Sequence, residues 1–339
     1  VRALLCTEYG PIENLRVAEV EPRPPGEKDV TIRIAAAGVN YPDALLVQGK
    51  YQARPELPFV AGMELAGTVT AVGAGVTALR PGDPVMGSAQ VGAFAEEITL
   101  PAQRVVRRPA GLAADLAAAS LITYGTTVYA LKDRAQLQPG ETMLVLGAAG
   151  GVGTAAIEVG KLMGARVIAA ASTDAKLEVC RRLGADEVVN YASEDLRARL
   201  KELAPRGLDV VYDPVGGAWS ELALRSTGWA GRFLVIGFAS GEIPKVPLNL
   251  ALLNSRSLLG AYWGDWAQRN PERSAANLAQ IAEWIVAGRI RPVISRHLRL
   301  EDVPQALRDL LDRKVHGKLV VTPWAAEVPG PAGSGGRAP

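Results

Sequence analysis

Residues 144–154 read LVLGAAGGVGT, and from Gly147 to Gly153 no side chain is larger than a valine. So bare a loop lets another molecule approach the backbone. It lies between an apolar strand over 143–146 and a helix beginning near Gly151, the context in which such glycines hold a dinucleotide. Gly147 permits the sharp turn, Gly150 and Gly151 bring the backbone close to a pyrophosphate, and Gly153 lets the helix pack against the strand. The helix N-terminus then offers N–H groups and the positive end of its dipole to the anion. A carboxylate roughly 20 residues further on would hold a ribose 2′-hydroxyl. This chain has Ser172 at that point, followed by Lys176. A hydroxyl and an ammonium suit a 2′-phosphate, which points to NADPH rather than NADH. Asp174 is expected to cap the helix beginning at Ala175.

The elements that must position this loop follow from the pattern on either side. After about Gly140, apolar strands over 142–147, 165–172, 186–191, 208–213, 231–237 and 256–263 alternate with helical segments, the mark of a parallel sheet with crossover helices. The segment 174–185 has helical spacing, with Leu177, Val179, Cys180 and Leu183 for burial and Gly184 to end it. Before Gly140 the chain is β-rich, with short β-branched stretches at 29–40, 65–73 and 83–87 broken by Gly and Pro, as in a folded-sheet or barrel-like domain. Beyond Pro271, two amphipathic helices flank a strand near 293–300, and 316–322 reads as another strand; these are expected to return to the first domain. Residues 325–339, rich in Gly, Pro and Ala, read as a flexible tail.

Composition narrows the partners. The chain has 339 residues, of which 48% are hydrophobic and 21% charged, enough to bury a substantial core. Its 37 Lys and Arg against 35 Asp and Glu leave a net charge of +2 without a basic run, which argues against a nucleic-acid binder. No apolar run approaches the ~20 residues of a membrane span, and the opening VRALLCTEYGP has no signal-peptide pattern, so a cytoplasmic location is the expectation. Two cysteines, Cys6 and Cys180, provide neither a disulfide framework nor a CxxC pair, and both read as buried thiols.

Several stretches in order, AAGVNYPDALLVQGKY (36–51), PFVAGMELAGTVTAVGAGV (58–76), AASLITYGTTVYAL (118–131), the glycine loop with its helix, LGADEVVNY (183–191), YDPVGG (212–217) and HGKLVV (316–321), resemble the zinc-free quinone oxidoreductases, relatives of zeta-crystallin in the medium-chain dehydrogenase/reductase superfamily. The resemblance covers residues 1 to 322. It implies an α/β protein in which a Rossmann doubly wound parallel sheet is inserted in a β-rich GroES-like catalytic domain. The expected divisions are 1–124 and 263–324 for the catalytic domain, 125–262 for the NADPH-binding domain and 325–339 for the tail. In the alcohol dehydrogenase branch, a cysteine and a histidine ligate zinc where this chain has Asn40 and Met63. Neither is a plausible replacement ligand, and His297 and His316 lack ligand partners at metal spacing, so no metal is expected.

Without a Lewis acid, hydride transfer needs an acceptor that is already electrophilic, such as a quinone or a conjugated enone. The resemblance implies that Asn40 and Thr127 approach the nicotinamide and its ribose, and that Gly151 and Val152 approach the pyrophosphate. It places Ser172, Lys176 and Tyr191 around the adenosine 2′-phosphate. Val215, Gly237, Phe238, Ser240, Tyr262 and Trp263 would line the nicotinamide side, with Lys318 near the cofactor. Tyr41 and Tyr51 follow Asn40 and either bond a substrate oxygen or simply pack with their hydroxyls in solvent. An enoyl-thioester or enoyl reductase, or an NADPH-binding protein with little turnover, fits the same residues. The apolar strand near 256–263 is expected at a sheet edge, where it would join a homodimer.

Overall fold

The computed structural model describes residues 1–324; the expected tail at 325–339 lies outside them. The strand–helix alternation after residue 140 folds as a six-stranded sheet in the order Glu187–Asn190, Arg166–Ala171, Thr142–Val145, Leu208–Asp213, Thr227–Val235, Ser257–Gly260. Every neighbouring pair is parallel. The inner strands are buried along almost their whole length, because crossover helices cover both faces. The first strand, Thr142–Val145, sits at the centre, where the strand order reverses. Outside its carboxyl end is the switch point at which open α/β sheets bind ligands. Ser257–Gly260 is an edge strand, as its position in the sequence suggested.

The β-rich part forms a seven-stranded sheet on the path Ile294–Leu298, Lys318–Val321, Asp29–Val39, Glu64–Val72, Pro84–Ser88, Val105–Arg107, with Glu97–Pro101 also pairing Asp29–Val39. A second small sheet joins Arg16–Glu19, Arg2–Cys6 and Phe59–Val60. Ile32, Ile34, Leu65 and Phe94, none exposed at all, centre its core. This is an α/β chain with a Rossmann sheet and a β-rich GroES-like domain.

Two units divide the described residues: Val1–Leu121 with 294–324, and Ile122–Val293. The expected return to the β-rich domain at residue 263 is therefore too early. Residues 263–293 belong with the Rossmann sheet because their partners lie there. Trp263 packs so closely on Gly125 that a Cβ at Gly125 would lie 2.7 Å from the indole. Trp266 stacks on Tyr129 with ring centroids 4.4 Å apart. Asp133 accepts from Arg273 and from Asn277 Nδ2, and Lys132 Nζ donates to Asn277 and Gln280. Together these dock the helix Pro271–Val286 onto the π-helical turn Tyr129–Arg134. Cys6 and Cys180 are buried free thiols, with burial pushing Cys180 up to about 12. Among the described residues no helix is long and apolar enough to cross a membrane.

Candidate active site

The glycine turn leaves the central strand with backbone bonds to both neighbouring strands: Leu146 N–H donates to Tyr212 O at 3.1 Å and Ala148 N–H to Ala170 O at 3.0 Å. Gly147 has φ +56°, the left-handed region that favours glycine. Gly150 N–H then closes the turn on Gly147 O at 3.0 Å. The helix Gly151–Leu162 begins with Gly150 as its N-cap and no side-chain cap bond, so its first N–H groups, at Gly151, Val152 and Gly153, face outward at the positive end of the dipole. A Cβ on Gly153 would lie 2.5 Å from Gly147 O, so the helix can approach the turn only with glycine there. The result is a cradle of backbone donors at the switch point, the arrangement that binds a pyrophosphate.

Around it, the carboxyl ends of two further strands carry Ser172 and Tyr191, and Tyr191 N–H donates to Ala171 O at 3.1 Å. Lys176 stands in the first turn of the helix Asp174–Arg182. The expected cap at Asp174 is not what forms. Thr173 is the N-cap, its Oγ1 accepting from Lys176 N–H at 3.3 Å, because Asp174 is engaged across the sheet end by Asn190 Nδ2 at 2.8 Å. That engagement ties the Asp174 carboxylate to a donor. Tyr191 packs on Trp219 with ring centroids 4.9 Å apart, a partner that no sequence signal had marked.

On the other side of the switch point, Asp213 organises the turn DPVGG. Its carboxylate accepts from Val215 N–H at 2.8 Å, Gly216 N–H at 3.0 Å and Ser220 Oγ at 2.5 Å, and burial raises its pKa. The loop after Thr227–Val235 is laced onto this turn: Ala239 N–H donates to Pro214 O at 3.0 Å and Ser240 N–H to Val215 O at 2.8 Å. Val215, Gly237, Phe238 and Ser240 are thereby gathered in one place. Val215 also reaches Gly147, where a Cβ would lie 2.8 Å from Val215 Cγ2. Thr127 is fully buried, with Oγ1 2.9 Å from the equally buried hydroxyl of Tyr212. Tyr212 was missed in the sequence, where it reads as an ordinary strand aromatic. Trp263 is buried beside Gly125 on the helix that carries Thr127, whereas Tyr262 is half exposed.

In the β-rich unit, Asn40 ends one strand and opens the helix Tyr41–Val47. Its surroundings are charged and dry. Lys318 Nζ donates to Asn40 Oδ1 at 2.6 Å, Glu64 Oε1 at 2.6 Å and Val39 O at 3.0 Å. Asn40 Nδ2 donates to Glu64 Oε1 at 2.8 Å and Gly38 O at 3.3 Å, and Asn40 N–H to Asp43 Oδ2 at 2.7 Å. Asn40, Asp43, Glu64 and Lys318 are each no more than 6% exposed. Asp43 is pushed up to about 7, chiefly by burial, against the Asn40 N–H bond and the Lys318 charge that both favour its ionised form. Lys318, which the resemblance sets near the cofactor, has its three ammonium hydrogens matched by three protein acceptors. Tyr41 and Tyr51 are partly buried, and burial raises the Tyr41 hydroxyl against the opposing charge of Arg313.

Zinc does not fit this donor set. Asn40 supplies a carboxamide already keyed between an ammonium and a carboxylate, Met63 packs against the apolar core, and Glu64 is bound to Lys318. Among the described residues no group of three or more His, Cys, Asp or Glu is placed to hold a metal. His297 packs against Asp115 at 3.1 Å.

Comparison with known proteins agrees with this geometry. Residues 26–110 match the family model described as "Alcohol dehydrogenase GroES-like domain", and residues 151–281 match the one described as "Zinc-binding dehydrogenase". The "Quinone oxidoreductase-like protein 2" of Bos taurus is 38% identical over 323 residues, covering 95% of this chain and 92% of the relative. The chain belongs to the quinone oxidoreductase-like family of the medium-chain dehydrogenase/reductase superfamily. The crystal structure of Escherichia coli quinone oxidoreductase complexed with NADPH has a TM-score of 0.89 at 29% identity, covering 95% of this chain and all of that one. A mycobacterial protein, also complexed with NADPH, has a TM-score of 0.89 at 32% identity over 95% and 99% of the two chains. The family thus includes members that bind NADPH and carry the quinone oxidoreductase name.

Proposed function

We propose that this protein is an NADPH-dependent oxidoreductase that reduces quinones or conjugated enones without a metal. The observation that carries the reading is the uncapped helix N-terminus behind Gly147–Gly153, flanked by Ser172 and Lys176 where a ribose-binding carboxylate would discriminate against a 2′-phosphate. NADPH, when bound, supplies the hydride. Gly151, Val152 and Gly153 donate backbone N–H groups to the pyrophosphate. Ser172 and Lys176 bind the 2′-phosphate, and Tyr191, packed on Trp219, offers an aromatic edge to the adenosine. Thr127, held by Tyr212, and Val215, held by Asp213, shape the nicotinamide side together with Gly237, Phe238, Ser240, Tyr262 and Trp263. From the β-rich unit, Asn40 is assigned to the nicotinamide and its ribose by the family resemblance, with Tyr41 and Tyr51 as candidates to bond an acceptor oxygen. No acid stronger than water is required, since charge left on a hydroquinone or enolate oxygen is delocalised.

The protein acts as a homodimer through the edge strand Ser257–Gly260. Leu258 on that strand is 38% exposed, and the adjacent helix Asn249–Leu253 exposes Leu252 by 78% and Leu253 by 66%, an apolar surface suited to a second copy. Light scattering at micromolar concentration checks this, and a monomer there contradicts it. The function itself is tested by following NADPH oxidation with a quinone panel, an enone panel and an enoyl-thioester panel. Turnover with quinones or enones supports the reading, turnover confined to enoyl-thioesters moves the protein to the enoyl reductases, and no acceptor-dependent oxidation overturns it.

A further inference from the structure

Three strand ends meet at the Asn40 site. In the β-rich sheet Leu319 pairs with Val39, and Gly38 pairs with Glu64. The register therefore sets Lys318, Asn40 and Glu64 side by side at one end of three adjacent strands. Space is kept for the carboxylate, since a Cβ on Gly38 would lie 2.3 Å from Glu64 Oε1 and 2.2 Å from Ala118 O.

We propose that Lys318 and Glu64 are positioning residues that act through Asn40, and that Lys318 does not touch the cofactor; this rests on the reading of Asn40 as facing the reacting end. The ammonium has three hydrogens and three protein acceptors, which leaves no donor for a phosphate or a substrate oxygen. The carboxamide, in contrast, has only one allowed orientation. Turning it over would set its NH2 against the Lys318 ammonium and its oxygen against the Glu64 carboxylate, two repulsive contacts in a dry site. Asp43 fixes the backbone of the same residue from the helix side, accepting from Asn40 N–H.

Stability alone does not account for the pair, because well-packed apolar side chains commonly replace a buried ion pair without loss. What an apolar pair cannot supply is opposite charges on the two ends of an amide. The ion pair therefore sets the direction in which Asn40 presents its side chain and the point at which the helix bearing Tyr41 begins.

The test compares wild type with Glu64→Gln and the double variant E64Q/K318M in the full chain. NADPH affinity is read by fluorescence titration, kcat with a quinone acceptor, thermal midpoint, and the Asn40 side-chain amide signals by NMR. We expect the double variant to keep a folded midpoint near wild type and NADPH affinity within about threefold, while kcat falls by about tenfold or more, the pattern of lost geometry rather than lost binding. Glu64→Gln keeps an oxygen acceptor for Lys318 but removes the charge opposite its ammonium, so it should remain folded with a lowered thermal midpoint, and its kcat should fall between the two. The Asn40 amide protons should be protected and well resolved in wild type and lose both properties in the double variant.

Weakening of NADPH binding by about tenfold or more with kcat intact would make Lys318 a cofactor ligand and overturn the inference. A fully active double variant would reduce the pair to packing and overturn it as well. Should the double variant not fold, the decision passes to Glu64→Gln, where an unchanged kcat with unchanged Asn40 signals is the overturning result. Should wild type oxidise NADPH with no acceptor, the functional reading fails, while the Asn40 amide signals still decide whether the pair orients that side chain.

Discussion

The turn Gly147–Gly153 has almost no side chains, whereas the strand ends at Asn40, Glu64 and Lys318, with Asp43 on the adjoining helix, bury four polar ones. In the turn, the polar groups on offer are backbone N–H donors already pointed by the helix they begin. They need only that nothing cover them, and glycine ensures this. In the network, a carboxamide, two carboxyl groups and an ammonium are buried together, so each must find its partner inside the protein. A bare site tolerates change around it but not within it. A buried charged site tolerates balanced changes but not single ones.

The largest effect that would break this contrast is at the charged end. Glu64→Ala leaves the Lys318 ammonium buried without its carboxylate and should destabilise the protein by about 3–5 kcal/mol in denaturant unfolding. A loss below about 1 kcal/mol would show that the pair is not as desolvated as its geometry indicates.

Next comes the pH dependence of Asp43. Its carboxyl holds a proton to about pH 7 when folded, against an ordinary value of 3.8. Between those values the folded state binds more protons than the unfolded chain, so this group's contribution to stability is fullest at low pH. It falls as pH rises through that window and is level above it. The fall is on the order of 4 kcal/mol at most, and Asp43→Asn should flatten that part of the stability–pH curve. A smaller slope of the same sign should remain from Asp213 and Glu158, both also raised by burial. An unchanged curve in the variant would remove Asp43 from the buried network.

At the bare end, Gly153→Ala places a methyl against the backbone of Gly147 and Ala148, which cannot yield as a side chain would. It should cost about 1–3 kcal/mol in stability and sharply reduce NADPH affinity. Smallest is Lys176→Ala, which should weaken NADPH by about tenfold in titration while leaving NADH almost unchanged, the loss of one charge-assisted contact. Equal weakening of both cofactors would refute its role at the 2′-phosphate.

The same contrast explains what could be seen in the sequence. The glycine turn, its strand and its helix are contiguous, so spacing alone revealed them, and the six parallel strands followed from apolar runs alternating with helical ones. The buried network joins residues from three separate strand ends, and nothing near Glu64 in the sequence marks it as the partner of Lys318. The pairing of Lys318 with Asn40 and Glu64 comes from the sheet register, which spacing along the chain does not encode. Asp174 was misread as a cap on the same account: the residue that takes its carboxylate, Asn190, lies at the end of another strand. The domain boundary moved from 263 to 293 because Trp263, Trp266 and Arg273 find their partners on the helix near Gly125 and Asp133, contacts that periodicity does not encode.

The central claim is that the bare turn binds NADPH for a hydride transfer that needs no metal. Acceptor-dependent NADPH oxidation, measured with quinones and enones in the presence and absence of a strong zinc chelator, tests it most directly. The account predicts turnover that prefers NADPH to NADH and is unaffected by the chelator. Oxidation abolished by the chelator and restored by added zinc, or no oxidation with any acceptor, would contradict it.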